Sequence, residues 1–248
     1  MGTHYSHRHV VRPHFSWDAQ NSKTYVTDST ANDILGKTTI PVTGVTVSAA
    51  PSGKTGKTYT FNNGVNSFYA SDYIRPVVTT SDEWGLNTTR GISSFVTFKN
   101  TSLLDAAALS YYRQTPFSYG NDGQLGSWNF ERHYLSSNFL FRYHFDQEPI
   151  YGTTIDIGTV DLNVVTQLGF TQSASELVVY KNGVPYSTLD VSAKTLTTPP
   201  TLIAGIGAQR GEIYGFIGEI YNATFWQSPI SPTEVLNHYN DTINRFEI

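Results

Sequence analysis

Between Asn138 and Phe145 the chain alternates: Phe139, Phe141, Tyr143 and Phe145 share one parity, and Leu140, Arg142 and His144 the other. Period two of that quality predicts a β-strand with two distinct faces, and the four rings read as core. Thr38–Val47 is a β-branched run in which Pro41 and Gly44 mark an edge or a bulge. Thr58–Phe61 predicts a short strand before the turn Asn62-Asn63-Gly64, and Ile92–Phe98, Asn163–Phe170, Leu202–Gly207 and Glu212–Phe225 predict more strands. Leu177–Tyr180 and Val184–Tyr186 flank Asn182-Gly183, a pair that accepts the positive φ of a type I′ turn, so this stretch predicts a hairpin. Only the end breaks the pattern. There Ser231-Pro232-Thr233-Glu234 supplies an N-cap, an N1 proline and a capping-box glutamate, predicting one short helix through about Tyr239.

Two stretches show no periodicity. Residues 1–16 are polar, with His4, His7, His9 and His14 among Arg8 and Arg12, and read as an extended arm ahead of one domain over 17–248. Residues 114–137 are rich in Gly, Ser and aromatics and read as a long decorated loop, of the kind that is often functional in compact domains. Many short strands and a single helix predict an all-β sandwich or jelly roll.

Composition narrows the function. Charged residues are 15% of the 248, aromatics 14%, with 20 Gly and 11 Pro, the balance of a turn-rich β protein. A net charge of -4 argues against general nucleic-acid binding, which needs a positive field over phosphates. No apolar run approaches the roughly 20 residues of a membrane-spanning helix. The absence of cysteine removes disulfides and thiolate metal sites, and with no apolar leader at the N-terminus the expectation is folding in a reducing cytoplasm.

The order Leu177–Val184, Gly205–Gly207, Phe216–Ala223 and Ile230–Leu236 resembles the C-terminal half of laminin-G-like domains in the concanavalin A-like jelly-roll superfamily. Trp17–Tyr25 with Asp28–Asp33 looks like that family's opening strand and Asp-Ser-x-x-Asn turn, and Thr58–Gly64 looks like its Phe-Asp-Gly strand. At the two ends, Asp18–Tyr25 and Glu234–Phe246 are similar to laminin-G-like structural proteins of tailed bacteriophages, marine ones in particular. The resemblance covers about residues 15–246 and implies a concanavalin A-like β-sandwich. It also implies a non-enzymatic virion protein, assembled in the host cytoplasm, that decorates a capsid by binding the major capsid protein or other virion proteins, itself compatible with a homo-oligomer. The alternative it allows is a lectin-like module that attaches to a host-surface glycan.

Site candidates follow from both readings. The arm residues His4, His7, Arg8, His9, Arg12 and His14 would dock on a partner and become ordered there. Tyr111, Tyr112, Phe117, Tyr119 and Trp128, with polar neighbours close by, would supply either a glycan platform or the aromatic anchors of an interface. Asp28, Asn32 and Asp33 offer hard oxygen ligands for calcium, or plain turn chemistry; no other cofactor is expected. Glycosidases of this fold carry two acids flanking one bond. Here Glu219-Ile220-Tyr221-Asn222 has a single acid, and Asp156 and Asp161 straddle Gly158 as turn residues, so no catalytic residue is assigned.

Overall fold

The computed structural model describes residues 15–18, 25–27, 30–32, 39–49, 57–63, 70, 72–75, 91–102, 113–120, 123–133, 138–145, 152–195, 204–209 and 213–246. In chain order the strands are β1 (Phe15–Asp18), β2 (Tyr25–Thr27), β3 (Thr30–Asn32), β4 (Thr39–Thr43), β5 (Thr46–Ala49), β6 (Lys57–Asn62) and β7 (Tyr73–Ile74). There follow β8 (Ile92–Asn100), β9 (Arg113–Tyr119), β10 (Trp128–His133), β11 (Asn138–Tyr143) and β12 (Thr153–Thr159). The last are β13 (Val165–Gln172), β14 (Glu176–Lys181), β15 (Val184–Asp190), β16 (Ala204–Ile206) and β17 (Ile217–Trp226), before the helix α1 (Pro232–Phe246).

They form two sheets. One runs β15-β14-β13-β8-β17-β6-β5, with β1 also on β17; the other runs β12-β11-β10-β9-β16-β7-β4-β3-β2. Along one edge of β17, β6 pairs with Ile217–Ile220 and β1 pairs with Asn222–Phe225, end to end. The sheets pack face to face on an aromatic core, as the sandwich prediction requires. Phe141 meets Phe170 of the opposite sheet at 4.7 Å between ring centroids, and Phe98 meets Phe139 at 5.2 Å. Edge-to-face and tilted contacts of this kind add to the burial of large rings. The alternation read at 138–145 holds: Phe139, Phe141, Tyr143 and Phe145 all belong to this core.

Three segments depart from the sequence reading. The run Thr38–Val47 is two strands in different sheets, split at Gly44, whose φ of 68° turns the chain from one layer to the other. Residues 114–137 are not a loop throughout, because they contain most of β9 and all of β10. Pro116 sits where the β9–β10 register shifts, a bulge that tolerates a residue without an N–H. The helix extends beyond Tyr239 to Phe246. The hairpin and its turn are as expected, with φ of 53° at Asn182 and 75° at Gly183.

A second, smaller apolar cluster lies on the outer face of the eight-stranded sheet: Phe95, Val178, Tyr180, Trp226, Ile230 and Val235. It seats α1. Room for it comes from Gly169, which pairs laterally with both Phe95 and Tyr180. The Phe95 ring lies across that gap and meets Tyr180 at 6.0 Å.

Candidate functional site

Two polar surfaces of the sandwich merit comparison. The first is the outer face of the nine-stranded sheet. Glu131 alternates with core-facing Phe130 and so points away from the core. Its Oε1 accepts from Arg142 Nη2 at 2.7 Å and its Oε2 from Arg113 Nη1 at 2.9 Å. The Arg113 guanidinium in turn lies 5.2 Å from the centroid of the Tyr214 ring. Tyr214 holds a left-handed φ of 54°, a strained geometry for a tyrosine, and its carbonyl accepts from the Thr115 N–H at 3.0 Å. Asn129 continues this face, with Arg142 opposite on β11 and Ser118 opposite on β9.

This surface is closed. Glu131 and Ser118 are fully buried, and Asn129 and Arg142 nearly so. The other carboxylate in the Glu131 cross-strand row is Asp156, beyond Leu140 on β12. It accepts from Asn138 Nδ2 at 2.9 Å and from the Gly158 N–H at 2.7 Å. Glycosidase carboxylates need open space for a sugar between them. Here one acid is enclosed between two guanidiniums, and the other, expected from the sequence in a turn, is engaged at a bulge within β12.

The second surface is open. Two hollows of about 470 and 310 Å³ share Ser173, Glu176 and Thr188 and form one groove on the outer face of β13, β14 and β15. The sheet register builds its floor in cross-strand rows: Glu176 opposite Asp190, Thr171–Val178–Thr188, and Tyr180 opposite Pro185. One wall is Pro229 and Ile230, from the link between β17 and α1, with Pro232 at the start of α1. At the other end stand Ser175 and Ser192. Ser173 shapes that end, accepting from the Glu176 N–H at 3.0 Å and donating to the Glu176 carbonyl at 3.3 Å. The floor residues Thr171, Val178 and Tyr180 are buried, whereas Glu176, Thr188 and Asp190 are exposed.

Burial raises the Tyr180 phenol above its ordinary value; a hydrogen bond with Thr171 partly offsets the rise and the Glu176 charge adds to it. The Asp190 carboxyl, fully exposed, is held below the usual range by hydrogen bonds from the side chain and backbone of Ser192. It therefore has none of the raised proton affinity that a general acid needs. The groove presents hydroxyls and carboxylates that can accept and donate hydrogen bonds to a polar ligand over a tyrosine and proline floor.

The sequence-derived candidates fare differently. Phe117, Tyr119 and Trp128 are not at a surface: all three are core residues of the sandwich, with Trp128 wedged 5.1 Å from both Phe117 and Phe170. They offer no platform to a glycan or a partner, because their strands, expected as loop, turn these rings inward. Replacing Trp128 with Ala would test the core. Tyr111 and Tyr112 lie outside the described residues, as do the arm residues His4, His7, Arg8, His9, Arg12 and His14 and the calcium candidates Asp28 and Asp33. Asn32 lies in β3, but its side chain is outside the description. The last two residues of the arm expected over 1–16, Phe15 and Ser16, belong to the sheet, since β1 starts at Phe15. The groove residues Thr171, Ser173, Glu176, Thr188 and Asp190 were missed as a site. The available signal was that β14 is apolar at both parities, Leu177 and Val179 against Val178 and Tyr180, which marks a strand covered on two faces.

Comparison with known proteins gives a fold and no family. No family model matches the chain, and no curated protein matches it by sequence. Among solved structures, the chain is similar to domain 4 of a GH43 extracellular arabinanase from Geobacillus stearothermophilus in complex with arabinotriose. The match has 16% identity and a TM-score of 0.62, covering 91% of this chain and 97% of that one. It is also similar to the binding domain of botulinum neurotoxin serotype G, at 10% identity and TM-score 0.65, over 93% of this chain and 51% of that one. Trypanosoma rangeli sialidase in complex with sialic acid aligns at 13% identity and TM-score 0.59, over 91% of this chain. The chain spans about a third of the sialidase's length, 32%. At these identities the likeness shows the β-sandwich alone.

Proposed function

We propose that this chain is a non-enzymatic binding module whose outer-face groove takes a saccharide. One observation carries the reading: the open groove combines a floor of buried Tyr180 and exposed Pro185 with convergent side-chain hydroxyls and carboxylates, on three paired strands. Sugars present alternating apolar faces and hydroxyl rims, and binding sites for them join few placed polar groups to an apolar floor. The similarity to an arabinanase domain solved with arabinotriose supports it, because that match takes in nearly the whole of that domain. Binding without hydrolysis is supported by the enclosed state of Glu131 and the lowered proton affinity of Asp190.

The test is a glycan array on the purified chain, repeated with Thr188→Trp. Thr188 is exposed and lines both hollows, so an indole there fills groove space without entering the core. Binding that disappears in the variant is the expected result. Retention of the same glycans by a folded Thr188→Trp protein would move the site elsewhere.

A second reading concerns where the module works. The similarity of Asp18–Tyr25 and Glu234–Phe246 to phage structural proteins favours a capsid decoration protein, docked by its N-terminal arm with the groove turned outward. Incorporation into particles after deletion of residues 1–14 tests it. Particles that retain the shortened protein would exclude the arm as the dock.

A further inference from the structure

Resting on the groove as a saccharide site, we infer that it selects neutral or amino-bearing sugars and rejects carboxylated or sulfated ones. Glu176 and Asp190 stand directly opposite each other on β14 and β15, and both are exposed at the mouth of the groove. Facing residues of an antiparallel pair have Cβ atoms about 5 Å apart, and like charges placed so destabilise the sheet. Asp190 serves the fold, its Oδ1 accepting from the Ser192 N–H at 2.9 Å, but folding does not call for a second carboxylate, Glu176, directly opposite it. Nor is the pair neutralised locally: the ion pairs among the described residues are made elsewhere, at Lys99–Glu219 and around Glu131. Among the described residues, none that lines either hollow is Lys, Arg or His.

The remaining lining is hydroxyl and apolar: Thr171, Ser173, Thr188 and Ser192 beside Pro185 and Ile230. Hydroxyls can serve any sugar. The carboxylates discriminate. They accept hydrogen bonds from vicinal hydroxyls, and more strongly from an ammonium group. A ligand carboxylate or sulfate in the same groove meets like charge within one Debye length, about 8–10 Å at moderate salt. At contact distances near a protein surface that repulsion weakens binding by on the order of tenfold or more. Asp190 keeps its charge down to acidic pH, since its hydrogen bonds to Ser192 hold the carboxyl below its usual range. The selection is thus expected across the neutral and mildly acidic range.

Calorimetric titration of the full chain with arabinotriose, a fully deacetylated glucosamine trimer and sialyllactose tests this, each at about 20 and 500 mM salt. The glucosamine trimer should bind at least about fivefold more tightly at low salt than at high, as screening predicts. Arabinotriose should vary less than about twofold, and sialyllactose should be at least about tenfold weaker than the tighter of the other two at low salt. In a Glu176→Gln/Asp190→Asn variant, both sites being exposed, the salt dependence and the penalty on sialyllactose should vanish, with a circular dichroism melt confirming the fold. Sialyllactose bound equally or more tightly at low salt overturns the selectivity, as does an unchanged order in the double variant. Loss of binding on adding a chelator also overturns it, because the acids would then be holding a divalent cation. Binding of none of the three overturns the saccharide reading itself. Binding that keeps the stated order but survives Thr188→Trp in a folded protein overturns the assignment to this groove.

Discussion

Gly169 shows how one residue arranges the helix side of the molecule. A Cβ added there would lie 1.9 Å from the Phe95 ring, so alanine forces the ring off its seat between Tyr180, Trp226 and α1. Gly169→Ala should therefore destabilise by about 1–3 kcal/mol, the usual cost of overpacking, although alanine normally improves a strand glycine. Chemical denaturation measures it, and an unchanged midpoint would refute the packing account. His238 makes the complementary point. It is half-buried as a residue, but its Nε2 is enclosed without a partner, with the ring 5.0 Å from Trp226 and 5.7 Å from Phe95. Burial lowers its pKa to about 4, from 6.5. A lowered histidine pKa means that the unfolded chain binds the proton first, so stability falls as pH drops from about 6.5 to about 4 and levels off below. His238→Phe keeps a ring in place and removes that titration. The variant should lose roughly 1–3 kcal/mol less than the parent between pH 7 and 4.5; parallel stability curves would exclude the mechanism.

At the scale of elements, legibility in the sequence followed local chemistry. The hairpin at Asn182-Gly183 and the start of α1 are set by their own residues, and both stood out. Ser231 and Glu234 close a reciprocal capping box: the Ser231 N–H donates to Glu234 Oε2 at 2.7 Å, and the Glu234 N–H to Ser231 Oγ at 3.3 Å. Ser231→Ala should cost about 1 kcal/mol. Because the cap borders the groove through Ile230 and Pro232, it should also weaken saccharide binding without abolishing it, as read by titration beside a melt. The end of the helix was hidden, since its inward side is set by Thr242 and Phe246 within a polar stretch; Thr242 Oγ1 accepts from Asn222 Nδ2 and Phe246 packs 5.0 Å from Tyr221. Strands β9 and β10 were hidden for a related reason. Pro116 and the positive-φ glycines 120, 123 and 126 are loop signals, yet Pro116 serves a bulge and the glycines lie in the connection between two strands whose pairing is tertiary. The groove is less legible still. Its floor joins the β14–β15 hairpin to Thr171 of β13 and its wall comes from Pro229, Ile230 and Pro232, so only the sheet order and the seat of α1 bring them together.

At the scale of the whole molecule, β1 and the end of α1 both reach β17, which gives the residues from Phe15 onward a role in folding. β1 supplies four register pairs to the half of β17 that β6 leaves open, Phe15 with Phe225 through Asp18 with Asn222. Removing residues 1–18 strips those pairs and leaves an unpaired edge beside the core. A net hydrogen bond contributes about 0.5–1.5 kcal/mol, so a four-residue strand accounts for a few. In a domain of this size each kcal/mol shifts the midpoint by about 2–4 °C, and the loss should lower it by roughly 5–10 °C. Removing residues 1–14 spares β1 and should leave the midpoint within about 2 °C, with saccharide binding intact. A deletion through residue 16 would confuse the two effects by cutting Phe15 and Ser16 out of the sheet. The pair of truncations, melted side by side, separates the contribution of β1 from that of residues 1–14. Equal melting losses in both would mean that residues before Phe15 also help to hold the sandwich together.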